Sequence, residues 1–206
     1  MQDAINDFLT IWVIIDPIAA LPVFIALTAP FDQPTRRKVA LIAVLVSLGV
    51  LVFFICLGQI IIEAMGISLR SFEVAGGVIL FVFAVDLVIG KPRPPSKEDV
   101  ASETPMQLAV YPLAIPNLAG PGSMLTVMLR TDNSRFSLLE QAHTTASLAA
   151  VLAITFVLLL FASQITRVIG TGGANVLKRV MGMIIAAYAV NLVFGGIGQW
   201  LHLPPL

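Results

Sequence analysis

Ile15-Asp-Pro-Ile-Ala-Ala-Leu-Pro-Val-Phe24 sets a carboxylate and two prolines inside an apolar stretch that otherwise runs from Phe8 to Leu27. Roughly 20 consecutive apolar residues span the hydrocarbon layer as a helix, so the length predicts a transmembrane segment. Asp16 then falls near mid-depth, where an ionised side chain costs about 2.5–3.5 kcal/mol on insertion scales. Pro17 and Pro22 each remove a backbone donor and crowd the preceding turn, so the helix is expected to kink or break there.

The punctuation returns in Ile115-Pro-Asn-Leu-Ala-Gly-Pro-Gly-Ser-Met124, again within an apolar run. Pro116 and Pro121 have the same spacing as Pro17 and Pro22, 99 residues further on. Interrupted segments at corresponding places in two halves of a membrane chain point to a transporter-like binding site.

Composition supports the membrane reading. Of 206 residues, 58% are hydrophobic and 12% charged, about half the charged share of a soluble domain. Zero net charge and the absence of a basic stripe argue against nucleic-acid binding. Cys56 is the one cysteine, so there is no intrachain disulfide or four-cysteine metal site, and its apolar surroundings predict a small packed side chain. Asp3 and Asp7 stand where a cleavable leader would carry basic residues. His-Glu-x-x-His, Gly-x-Ser-x-Gly and phosphate-loop patterns are missing, and the two histidines fall near one interface. The chain reads as a non-enzyme with no cofactor or metal.

Apolar runs at about Ala4–Thr28, Val39–Ile62, Phe72–Ile89, Met106–Leu129, Ala142–Ile165 and Val176–Trp200 predict six crossings. The segment 91–105, rich in proline and charge, reads as a cytoplasmic linker between three-helix repeats at 1–90 and 106–206. Arg36, Arg37, Lys38, Lys91, Arg93, Lys97, Arg167, Lys178 and Arg179 then share one face, leaving Arg70, Arg130 and Arg135 on the other. The positive-inside rule puts both termini outside the cytoplasm.

The halves repeat beyond the prolines. Ala84-Val-Asp-Leu-Val-Ile-Gly90 matches Ala189-Val-Asn-Leu-Val-Phe-Gly195 at five of seven positions, with an offset of 105 that also pairs Gly77 with Gly182. Three crossings per half make the second repeat enter from the opposite side, so the repeat is inverted. The expected architecture is all-α, with six helices and helices 1 and 4 broken at mid-membrane.

Asp16-Pro17 is also a helix-start signature, since aspartate caps well and proline suits the first helical position. Gly120-Pro121-Gly122-Ser123 plays the matching part. There, the amides of Gly122, Ser123 and Met124 would face a ligand at a positive helix end. Such an end suits a carboxylate, while Asp16 suits an ammonium or a coupling cation, H+ or Na+. The candidate substrate site is thus Asp16, Pro17, Ala20, Pro22, Pro116, Asn117, Gly120, Pro121, Gly122 and Ser123, small enough for a zwitterion. Asn117 equally suits a bond to a neighbouring helix. Asp86 lies where it would reach the interface, and Gly76, Gly77 and Gly182 would permit close helix contact. Glu63, Glu73, His143 and His202 sit near predicted ends and are assigned to solvent.

In Asp16-Pro-Ile-Ala-Ala-Leu-Pro22 and Pro112-Leu-Ala-Ile-Pro-Asn-Leu-Ala-Gly-Pro-Gly122 the chain resembles the MarC family of bacterial inner-membrane proteins. That family is grouped with small neutral amino-acid transporters of the SnatA type. The resemblance covers essentially the whole chain and implies six helices, an inner-membrane location and transport of glycine or alanine. Asp16, Pro17 and Pro22 match its first motif; Pro112, Pro116, Gly120 and Pro121 match its second. Two other classes compete. Thiol–disulfide carriers of similar architecture need a cysteine in each broken helix, which this chain lacks. A membrane assembly or regulatory protein would move nothing.

Overall fold

The computed structural model describes residues 2–89, 103–133 and 135–201. Residues 91–102 of the expected linker, and His202, lie outside them. Among the described residues the chain is helical and has no strand. Proline sets most of the interruptions. The residue before a proline is disfavoured in the right-handed α region, and five such residues leave it: Asp16 (φ 46°), Thr104 (φ −76°, ψ 155°), Tyr111 (φ −133°), Ile115 (φ −121°) and Gly120 (φ −85°, ψ 172°). Leu21 stays helical, and Pro22 is carried inside its helix.

The elements are α1 (Gln2–Ile15), α2 (Pro17–Thr28), α3 (Gln33–Ala64), α4 (Leu69–Ile89), α5 (Pro105–Leu108), an irregular wide-turned segment at Ala109–Leu118, α6 (Pro121–Arg130), α7 (Leu138–Leu160) and α8 (Ala162–Trp200), which kinks at Gly170. Among the described residues, five stretches are long and apolar enough to cross a membrane: Ile5–Thr28, Gln33–Ala64, Leu69–Ile89, Leu138–Leu160 and Arg179–Trp200. The expected fourth crossing, Met106–Leu129, is not one helix but three pieces. Two more boundaries differ from the hydropathy reading. Helix α3 starts at Gln33 instead of Val39 because Asp32 caps it, accepting from the Thr35 N–H at 3.2 Å, and Pro34 occupies its first turn. Hydrogen bonds from Thr35 hold the exposed Asp32 carboxyl below the ordinary carboxylate range. The run expected to reach Ile165 ends at Leu160, where the chain turns at Phe161.

Two packed cores result. The larger joins α1, α2, α3, the 109–118 segment and α7; the smaller holds Leu80, Ala84 and Leu87 of α4 against Ile185, Ala189 and Leu192 of α8, with Ile14 and Leu125 at the junction. Outward faces are apolar as well: Val78, Ile79 and Val82 are exposed on α4, as contact with lipid requires. Cys56, expected in the packed interior, is exposed on α3. In a membrane helix an apolar neighbourhood marks lipid and core alike.

Contacts recur in matched pairs between the halves. Helix α1 packs on α7 as the 109–118 segment packs on α3; α2 packs on α8 as α6 does on α4; α1 meets α6 as α2 meets the 109–118 segment. The α4–α8 contact is reciprocal residue by residue. A Cβ on Gly77 would lie 2.9 Å from Val193, 3.0 Å from the Ala189 carbonyl oxygen and 3.2 Å from Leu192. A Cβ on Gly182 would lie 2.8 Å from Val88, 3.1 Å from the Ala84 carbonyl oxygen and 2.9 Å from Leu87. Every partner is displaced by the same 105 residues, and the two helices run antiparallel.

Since backbone carbonyls block both positions, Gly77→Ala and Gly182→Ala should each destabilise the protein by about 1–3 kcal/mol, the usual cost of overpacking. Gly49, with nothing within 4 Å, is the control, and Gly49→Ala should lose nothing. Thermal unfolding in detergent, followed by circular dichroism, measures all three.

Candidate functional site

Residues flanking the two interruptions share the larger core, where Ile15, Ala20 and Leu21 belong to the same buried cluster as Ala114, Leu118 and Ala119. At the first, Asp16 adopts the left-handed region (φ 46°, ψ 66°), which aspartate tolerates better than most residues. The residue is 5% exposed. Oδ1 accepts from the Ala19 N–H at 3.2 Å, capping α2, while the Asp16 N–H donates to the Trp12 carbonyl at 3.0 Å. The carboxylate therefore secures the start of one half-helix while lying at the end of the other.

The second interruption is closed differently. Ser123 Oγ lies within donating distance of the Leu118 and Gly120 carbonyls, at 3.0 and 2.9 Å, and the Ala119 N–H donates to the Ala114 carbonyl at 2.8 Å. Ser123, expected to meet a ligand, is thus engaged with the backbone of the break. The Met124 N–H, expected at the ligand, donates to the Gly120 carbonyl at 3.0 Å. That corrects the expectation: Met124 already belongs to the first full helical turn, and the amides of Gly122 and Ser123 are those with no acceptor one turn back.

The other candidates fall into separate groups. Pro17 and Ala20 are buried, whereas Pro22, Pro116 and Pro121 are exposed, away from the packed gap. Asn117 is half-buried, and its Nδ2 has no hydrogen-bond partner among the described residues. Gly120 has its own local reason: a Cβ there would sit 2.6 Å from the Pro116 carbonyl oxygen. Gly122 packs on α4, since a Cβ would meet Leu80. Between α1 and α6, Ile11, Ile14, Ile15, Ser123, Thr126 and Val127 enclose about 140 Å³ of empty space with no room for a water molecule. No metal-binding group of histidine, cysteine, aspartate and glutamate occurs among the described residues.

A polar cluster not expected from the sequence lies at one end of the bundle. Arg130 Nη1 donates to Asp7 Oδ1 at 2.8 Å, Arg130 Nη2 to Thr10 at 3.3 Å, and Thr144 to Asp7 Oδ2 at 2.8 Å. Arg135 bridges Asp132 (3.3 Å), Glu73 (3.8 Å) and Gln199 (2.8 Å), and Arg70 donates to the Gln199 carbonyl at 3.3 Å. Glu73, expected in solvent, is 7% exposed; its proximity to Arg135 supplies the charge that burial calls for. A cavity of about 410 Å³ opens here beside Arg70, Asp132, Arg135 and Trp200, apart from the breaks. The sequence signal for this cluster was Arg70, Arg130 and Arg135 sharing one face; their acidic partners carried none.

Comparison with known proteins follows the same span. The sequence model for "MarC family integral membrane protein" matches residues 1–201. A UPF0056 membrane protein of Methanocaldococcus jannaschii is 34% identical over 199 residues, covering 96% of this chain and 97% of the relative. One from Archaeoglobus fulgidus is 32% identical, covering 95% and 92%. The UPF0056 inner membrane protein YhgN of Escherichia coli K12 is 29% identical, covering 98% and 99%. No solved structure matches.

The two glycines should separate on substitution. Gly120→Ala drives Cβ against a backbone carbonyl, whereas Gly122→Ala meets the end of the flexible Leu80 side chain. Gly120→Ala should therefore lower the unfolding midpoint clearly more than Gly122→Ala, measured in one detergent.

Proposed function

This chain belongs to the MarC family of integral membrane proteins, and we propose that it is a secondary transporter moving a small polar solute by alternating access around its two interrupted helices. One observation carries the reading: Ile15 and Ser123, flanking the interruptions at Asp16 and Gly120, line one narrow gap between α1 and α6. Paired breaks of this kind are how transporter folds expose helix ends and backbone groups to a solute inside a membrane.

The matched contacts support an inverted repeat. Reciprocal packing between antiparallel α4 and α8 corresponds to a pseudo-two-fold axis perpendicular to both helices, hence in the membrane plane. On this reading residues 105–130 provide the sixth crossing in pieces, and both breaks lie at mid-membrane. The nine-to-three distribution of basic residues puts the termini outside the cytoplasm of a bacterial inner membrane.

The solute we propose is a small neutral amino acid such as glycine or alanine. Its carboxylate would meet the amides of Gly122 and Ser123 at the start of α6, and its ammonium, or a coupling H+ or Na+, would lie toward Asp16. The α1–α6 gap has no room for it in the present arrangement, so admission needs these two half-helices to separate.

Two experiments test the reading. Purified protein in proteoliposomes should accumulate labelled glycine or alanine under a proton or sodium gradient. Asp16→Asn should abolish that accumulation while the protein still folds and inserts; full accumulation with unchanged ion dependence would remove Asp16 from coupling. No accumulation by folded wild-type protein would favour the assembly or regulatory role. Reporter fusions after Leu206 and within Arg93–Glu103 should lie on opposite faces, the former periplasmic.

A further inference from the structure

Helices α1 and α6 lie side by side from the Asp7–Arg130 end of the bundle down to the two breaks. Their facing residues pair in sequence: Asp7 with Arg130, then Ile11, Ile14 and Ile15 against Val127, Thr126 and Ser123. Nine residues of helical rise put the ion pair about 13 Å from Asp16. Beneath it the seam admits no water. Both Asp7 oxygens are engaged, one by Arg130 of α6 and one by Thr144 of α7, and Tyr188 of α8 stands beside Arg130. The pair thus ties the half-helix before one break to the half-helix after the other.

The opposite mouth is built without this feature. Helix α2 meets the 109–118 segment there as α1 meets α6. At the proline offset of 99, Asp7 corresponds to Met106 and Arg130 to Phe31, both uncharged. Among the described residues no ion pair joins that second seam.

We propose that Asp7 and Arg130 form the latch of the mouth at their end, holding α1 against α6. Separation of the pair opens the path to the breaks. The inference rests on the transport reading for its purpose, though its test needs no uptake.

Accessibility of an introduced thiol provides that test. In a Cys56→Ser background, Thr126→Cys reports on the latched seam and Leu27→Cys, 99 residues earlier, on the opposite one; both native side chains are 1% exposed. The proteins are labelled with a polar maleimide in detergent, where both mouths face the reagent. Asp7→Asn, and separately Arg130→Gln, should speed labelling at Thr126→Cys at least tenfold and leave Leu27→Cys unchanged or slower. The double exchange Asp7→Arg with Arg130→Asp should bring the rate back toward that of the parent. Unchanged rates in both single variants, or an equal rise at both reporters, would overturn the latch, the latter meaning general loosening. Faster labelling without any solute uptake would uphold the latch and remove the transport reading; uptake with unchanged labelling would do the reverse.

Discussion

Inside a hydrocarbon layer an amide that leaves helical geometry finds no water, so each interruption must be closed by groups the chain itself carries. Both breaks meet this demand in part, the amides of Gly122 and Ser123 being left without an acceptor one turn back. Asp16 turns its carboxylate onto the Ala19 N–H, while Ser123 turns its hydroxyl onto the carbonyls of Leu118 and Gly120. Proline helps by removing donors that would otherwise be stranded: Pro17 and Pro121 occupy first helical positions, where an N–H has no acceptor in any case. One break is therefore closed by an acceptor for amides and the other by a donor for carbonyls.

Against these local devices stands a tightly packed frame. Glycine at 77 and 182 lets α4 and α8 approach until backbone meets side chain at both matched positions. Without a hydrophobic driving force between helices in lipid, close packing of this kind is what holds them together. Helix α4 reaches the second break through Leu80, which fills the space beside Gly122, and α6 reaches back through Leu125 beside Gly76. The frame thus touches α6 through flexible side-chain ends, while the contacts within the frame involve backbone.

What was legible in the sequence depended on whether the signal was local. Asp16-Pro17 and Gly120-Pro121 announce helix starts because capping and the pre-proline restriction act over two or three residues. The spacing shared by the proline pairs and the offset of 105 were legible because they need only the comparison of the sequence with itself. The interruption before Pro112 was not anticipated, although the same restriction acts on Tyr111; an apolar run hid it. Cys56 and Glu73 were misplaced for the reason that separates membrane proteins from soluble ones. Apolar residues face both lipid and core, so hydropathy does not give the inward side, and a charge near a helix end is equally at home in solvent or beside a distant arginine. The Asp7–Arg130 pair joins residues 123 apart, and its partner choice is a property of the fold alone.

On the proposed transport reading, a near-symmetric scaffold with two equivalent seams has no intrinsic reason to prefer one mouth closed, so a preference would have to come from side chains that break the symmetry. The charged pair at positions 7 and 130, facing Met106 and Phe31 at the other seam, is such a difference. Its magnitude matters as much as its sign. An exposed pair contributes about 0–1 kcal/mol, and disrupting a fully buried one costs about 3–5 kcal/mol. With side-chain exposures of 10% for Asp7 and 29% for Arg130, this pair falls between those limits. Swinging an equilibrium from 99:1 to 1:99 takes about 5.5 kcal/mol, so a carrier latched by much more than that would stay shut. On that reading a partly hydrated pair would bias the resting state by one or two powers of ten, at about 1.4 kcal/mol each, while leaving the seam within reach of the free energy that a bound solute or ion could supply.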